Sequence, residues 1–315
     1  GYSRLNLLTN RPKGEARMME VSYGRVEGIL RGIGRTLRMI WSNKAARFGL
    51  LVLLFYVLMA AIGPIILPLK PVIASSTNVF QPPRLWPPIY WFGTDNVGVP
   101  LTVDIVNGAP FVLEVSLLSA LYTTVLGLLV GIVAGFKGGY ADAALSFISQ
   151  VLMTIPSLLL VMIMATMIHT NNPFILAGIL SITGWTGLAL SVRSQILAMR
   201  EYPYIEVSRV LGLSGGYILF KEITPKIMPY VWINFILNME GAVYAAVGLY
   251  FLGLLPYQNY NWGALINQAL SYGAYFGGRA LPILVVPVVF VTLYMVALIE
   301  LAYGIDEIIN PRLRK

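Results

Sequence analysis

Crossing the hydrocarbon core of a bilayer takes roughly 20 consecutive apolar residues in a helix. Five runs in this chain reach that length without one charged side chain: residues 48–68, 115–136, 143–168, 173–192 and 281–299. A sixth, residues 230–255, is interrupted only by Glu240. The expected fold class is therefore an all-α polytopic membrane protein with six transmembrane helices. Composition agrees: 11% of the residues are charged, against about 25% in an ordinary soluble domain.

Lys and Arg between the spans set the orientation. Alternating segments from the N-terminus hold ten of them in residues 1–47, then Lys137, then Arg193, Arg200, Arg209, Lys221 and Lys226, then Arg312, Arg314 and Lys315. The other side has only Lys70, Arg84 and Arg279. Both termini are expected to be cytoplasmic, in a multi-pass protein of the cell membrane. The net charge of +8 is accounted for by topology, so nucleic acid is not an expected partner. The first 47 residues hold no long apolar run, and no signal peptide is expected there.

The expected organisation follows. Residues 1–47 form a basic tail; within it Ile29, Ile33, Leu37 and Ile40 recur at helical spacing with arginines between them. That pattern fits a helix lying in the headgroup region, or else a partly ordered tail. The first span, 48–68, is followed by an outer loop, 69–114, whose prolines and aromatics predict an ordered cap. A core of five spans, 115–303, contains a cytoplasmic loop, 193–229, and a short tail, 304–315, closes the chain.

Few groups could carry chemistry. The absence of cysteine excludes disulfides and thiolate chemistry, and there is no GxxxxGK[ST] phosphate loop. One histidine, His169, sits at a span end and reads as an interfacial residue, not as a ligand or base. No metal site, bound cofactor or catalytic residue is expected. Glu240 is the carboxylate well inside a span, where a charge costs at least about 2.5 kcal/mol. It either lines a pathway or pairs with a neighbouring helix. Gly127, Gly131 and Gly135 make a small-residue groove suited to close helix packing.

The loop 193–229 is charged yet patterned: "EVSRVLGLSGGYILFKEITPKIMP". Residues 206–213 predict a short helix, with Ser214–Gly216 as its terminator. Residues 217–223 predict a second one, stopped before Pro225. Such a helical knob reads as a docking element for a soluble partner.

The loop resembles the EAA motif of ABC importer permeases. Glu206, Gly212, Ile223 and Pro225 stand where that family has its glutamate, glycine, isoleucine and proline. Val207 and Ser208 replace two alanines; Leu213, Ser214 and Gly215 continue the bend. "FGTDNVG" (92–98), "GIVAGFKGGYAD" (131–142), "LYFLGLLP…NWGALI" and "GIDEIINPRLR" are similar to the dipeptide/oligopeptide/nickel branch, C-type subunit. "DNVGVPL" departs from that branch's usual "DELGRD".

This resemblance implies a type I importer permease fold and a partnership with a B-type permease. It also implies two ABC ATPases that carry ATP and magnesium, and an extracytoplasmic solute-binding protein. The permease itself would not be an enzyme. Oligopeptides or dipeptides are the implied cargo, with oligosaccharides or a nickel chelate as alternatives. An ATP-independent transporter or channel is the alternative of a different class, supported by Glu240 alone.

Overall fold

Asn43 opens the first helix: its side-chain oxygen accepts from the Ala46 amide and satisfies one free donor of α1 (Lys44–Ile66). The structure is a computed structural model that describes residues 40–69, 78–258 and 260–309. The amphipathic pattern at 29–40 therefore falls almost wholly outside the described residues, as does the tail beyond 309. After α1 come α2 (Leu101–Lys137), α3 (Gly139–Thr154), α4 (Ser157–Ile168), α5 (Pro173–Arg200) and α6 (Pro203–Val210). A run of helix from Gly215 leads into α7 (Thr224–Phe251), followed by α8 (Trp262–Ser271) and α9 (Leu281–Ile309). Among the described residues the only β pairing is an isolated bridge between Thr94 and Pro100.

Among the described residues five helical runs are long and apolar enough to cross a membrane: α1, α2, α5, Gly215–Phe251 and Gly278–Ile308. The expected third span, 143–168, is not one straight helix. It is the pair α3 and α4, bent by 82°. Pro156 lacks an amide hydrogen and forces Ile155 into an extended conformation (φ −80°, ψ 124°), so the helix stops and restarts. If the bent pair counts as one span, the total is six.

A second difference concerns α2. It begins at Leu101, inside the stretch assigned from sequence to the outer loop, and runs for 37 residues. At 1.5 Å per residue that is about 55 Å, far more than the ~30 Å hydrocarbon core. Hydropathy alone missed the first turns because Asp104 and Asn107 are polar. Asn107 donates to the Leu67 carbonyl at the end of α1, which joins the two helices there.

Backbones approach closely along two seams. On α2, a methyl group at Gly127, Gly131 or Gly135 would come within 2.6–3.0 Å of backbone carbonyls of α5, at Trp185, Ala189 and Arg193. On α1 and α9, Gly49 meets the Ala297 carbonyl and Gly304 meets Ala46. Without water to drive association, small residues that allow such contact supply the dispersion energy that holds membrane helices together. The "GIDEIIN" ending has a structural use as well, since Glu307 accepts from the Asn43 amide and ties α9 to the start of α1.

The main core gathers around Trp262, which is fully buried. Its indole donates to the Ile105 carbonyl at 3.1 Å, and its ring lies edge-on to Tyr56 and tilted against Phe290. Tyr56 in turn donates to the Phe290 carbonyl at 2.6 Å. Asn261 caps α8 by accepting from Gly263 and Ala264, and Gly263 brings α8 against the Val247 carbonyl. The "NWGALI" stretch is thus a cap, a core plug and a close contact in succession.

Ahead of α2, residues 78–100 form an ordered cap. Asp95 is buried, and its Oδ1 accepts from the amides of Val97 (2.9 Å) and Val99 (2.7 Å). Burial pushes the Asp95 carboxyl above its usual range, against the pull of those amides. Thr94 is buried beside it, donating to the Asn78 carbonyl and accepting from the Gln81 amide. The "GTD" residues thus hold the fold of this cap.

Candidate docking site and pathway cavity

The knob is α6 with the turn that follows it. Gly212 has φ +74°, a left-handed conformation that glycine adopts without strain. Around it the Leu213 amide donates to the Ser208 carbonyl and the Gly212 amide to the Arg209 carbonyl, which together end α6 in a Schellman motif. No atom lies within 4 Å of where a Cβ would stand, so backbone conformation, not space, requires the glycine. The terminator is therefore Leu211–Gly212. Ser214 instead opens the next helix by accepting from the Tyr217 amide, and Gly215 is its first residue.

The second helix does not stop before Pro225. Residues Ile218–Ile223 are a π-helix, and the run continues through Pro225 into α7. A π turn bonds one residue further along than an α turn. The missing Pro225 amide and the crowding of its ring fall where the register has already slipped, so the rod is not broken. The insertion has no simple periodicity signature in the sequence.

Three contacts fix α6 to this rod. Ser208, which is buried, places Oγ 2.8 and 2.9 Å from the Glu222 carboxylate oxygens. Lys226 sits 3.6 Å above the centre of the Tyr204 ring. Beneath them Ile205 and Ile223 are fully buried with Ile196, Ile227 and Val192. Glu206 is the glutamate that the family resemblance places in this loop. Glu206 is exposed, and its carboxylate has no hydrogen-bond or ion-pair partner among the described residues. Glu222 makes the contact instead, fourteen residues from Ser208.

Outward, α6 presents Val207, Val210 and Leu211 beside the charged Glu206 and Arg209, and Leu213, Tyr217 and Phe220 are exposed around the bend. Pro225 is exposed at the foot of α7. Basic side chains frame the site. Arg200 donates to the Gly135 carbonyl at the C-terminus of α2, favourable against the helix dipole, and Arg193 pairs with Asp142. The "GFKGGYAD" turn, with Gly138 and Gly139 at positive φ, thus sits at the same end of the bundle.

Within the bundle a cavity of about 590 Å³ lies beside the α3–α4 break. Its lining mixes apolar groups with hydroxyls and small residues: Ser119 and Thr123 of α2, Ser157 of α4, Thr183 and Thr186 of α5, and Asn238 and Gly241 of α7. No charged side chain lines it. Glu240 is half-buried on α7, outside that lining, and its carboxylate has no partner among the described residues. His169 ends α4 in a left-handed conformation, with a ring nitrogen 2.7 Å from the Thr166 carbonyl.

A bundle of membrane helices with an uncharged, hydroxyl-lined cavity at one level and a helical knob at one end has the architecture expected of a permease. Comparison with known proteins makes the class specific. Residues 127–315 match the family model described as binding-protein-dependent transport system inner membrane component. Residues 33–83 match the N-terminal TM domain of oligopeptide transport permease C.

The chain belongs to the family of binding-protein-dependent transport system inner membrane components. It is 33% identical over 281 residues to the dipeptide transport system permease protein DppC of Bacillus subtilis, covering 88% of this chain and 85% of the relative. It is 28% identical over 275 residues to the oligopeptide transport system permease protein OppC of the same organism, covering 87% and 88%. A putative peptide permease protein of Brucella suis is 28% identical over 240 residues, covering 76% and 78%. The protein is thus a membrane permease component of a binding-protein-dependent transport system.

Proposed function

We propose that this chain forms one half of the peptide pathway and is switched by ABC ATPases that grip α6. The observation that carries this reading is the knob: an apolar exposed face on a short helix whose underside is bonded and packed to a helix that enters the bundle. A face of Val207, Val210 and Leu211 held on a rigid base fits the groove of a soluble partner. Closure of an ATPase pair on ATP would move the knob, and α7 with it, by rigid-body switching. A B-type permease supplies the other half of the pathway, and a solute-binding protein delivers peptide to the opposite end. ATP and magnesium are held by the ATPases, and this chain takes no part in hydrolysis. Glu240, off the cavity wall, faces the second permease or lipid.

The test is cross-linking at the knob. A cysteine at Val210 should form a disulfide-length cross-link to an ATPase subunit in membranes carrying the complete transporter. A cysteine at Leu85, which is fully exposed in the cap, should not. The same two sites test orientation: Leu85→Cys should react with an impermeant reagent in intact cells, and Val210→Cys only after permeabilisation. The reverse pattern would overturn both the topology and the role of the knob.

Two milder outcomes follow. Ser208→Ala removes a charge-assisted hydrogen bond worth about 1.5–3 kcal/mol, reduced here because Glu222 is half-exposed. Peptide-stimulated ATP hydrolysis should fall several-fold while ATPase association persists. Glu240→Gln should keep import within a few-fold, since the amide retains hydrogen-bonding capacity; near-complete loss with normal assembly would place that charge in the pathway.

A further inference from the structure

At the end of the bundle opposite α6, a second cavity of about 1020 Å³ opens between the end of α1, the cap and the segment joining α7 to α8. Asp104, in the first turn of α2, lines it and is only 1% exposed. Among the described residues neither of its carboxylate oxygens has a hydrogen-bond partner. Gln258, which also lines it, has a buried side-chain oxygen with no donor among the described residues. Asp95 differs, because its Oδ1 is engaged by the Val97 and Val99 amides. The wall thus has acceptors with nothing to accept from, around a space large enough for a molecule.

The chemistry of that molecule follows from the rest of the lining. Tyr90, Tyr257 and Tyr260 contribute aromatic rings, and Ile66 and Val103 contribute apolar surface. Tyr257 shares the lining with Asp104, and burial, with Asp95 and Asp104 adding to it, pushes its hydroxyl up to about 12. An anion is disfavoured by Asp104. A bare divalent ion needs six or more oxygens gathered at 2.0–2.6 Å, and no group of three acidic, histidine or cysteine ligands exists among the described residues. A primary ammonium on an apolar body fits: the charge pairs with a carboxylate, and ring faces shelter it.

We propose that Asp104 receives the protonated α-amino group of an incoming peptide in this outer cavity, a contact that makes entry selective for free N-termini. This deepens, and rests on, the reading of the chain as a pathway half for peptides. Tyr257 flanks the ammonium, and the α2 backbone positions the carboxylate.

The experiment uses the complete transporter without its binding protein, in phosphatidylcholine nanodiscs. Binding of dialanine and of N-acetyl-dialanine is measured by saturation-transfer NMR. Wild type should bind the free peptide about ten- to a hundredfold more tightly than the acetylated one, the range of one charge-assisted hydrogen bond. Asp104→Asn should erase that difference. Tyr257→Ala, at an exposed position, should weaken free-peptide binding about two- to fivefold. Equal binding of both peptides to wild type, or unchanged discrimination in Asp104→Asn, overturns the proposal. So does displacement of peptide by added phosphatidylethanolamine, which would make this a lipid site. Peptide import is measured on the same preparation after adding the binding protein. Import without amine discrimination sinks this proposal alone, whereas absence of import sinks the pathway reading beneath it.

Discussion

Gly212→Asp should yield a correctly inserted permease that pairs with its partner but no longer couples to the ATPases. Two physical effects are superposed in that substitution, and the local geometry separates them. The position has φ +74° and open space around the missing Cβ. Asn and Asp tolerate this left-handed conformation better than other side chains, so Gly212→Asn should bend nearly as well as wild type. Aspartate has the same shape with a charge, set beside an apolar face expected to be buried in the partner. A buried charge without a partner costs several kcal/mol, at about 1.4 kcal/mol per factor of ten in affinity. Association should therefore fall more than about a hundredfold for Asp and by less than about tenfold for Asn. Gly212→Val adds the backbone penalty of a β-branched residue and should unmake the turn itself. ATPase co-purification and peptide-stimulated hydrolysis measure the series. Equal behaviour of Asn and Asp would mean that no apolar groove closes over this bend.

The second large effect is on stability. Trp262→Ala should cost about 3–5 kcal/mol, the range for emptying a buried aromatic site, out of a typical 5–15 kcal/mol for a folded domain. The indole fills the space between α1, α2 and α9 and bonds the Ile105 carbonyl. Its loss leaves that cavity and the packing of Tyr56 and Phe290 unsupported. Trp262→Phe retains most of the volume and loses mainly the hydrogen bond, for about 1 kcal/mol. Thermal inactivation in detergent should rank wild type, Phe and Ala in that order, with Ala poorly recovered from membranes. Near-wild-type recovery of Trp262→Ala would show that this core is not what holds the outer half together.

Much of the architecture was legible because burial in lipid demands long apolar runs. The glycine spacing on α2 likewise predicted a close seam, and that face of α2 lies on α5. What escaped were features created by meetings between distant residues or by backbone register. The bend at Pro156 had a visible sign, a proline in the middle of an apolar run, which length alone overrode. The first turns of α2 read as loop because Asp104 and Asn107 are polar, although tertiary contacts bury Asp104. Ser208 and Glu222 lie on opposite sides of the Gly212 bend, so no helical spacing connects them. Glu206 drew attention through its place in a motif, but the fold leaves it exposed. The π segment was invisible for another reason: "ILFKEI" contains no residue that demands it.

That segment sets the angular phase of the molecule. Each residue along an α-helix turns the next by about 100°, so the wider π turn shifts which faces of the rod line up above and below it. Within it, Glu222 meets Ser208; beyond it, Asn238 and Gly241 face the cavity. The slip sets how these contacts are phased along one continuous rod. Ile218–Ile223 thus acts as a fixed indexing step between the gripping end and the conducting end, and removing one residue from it would turn one end against the other by about 100°.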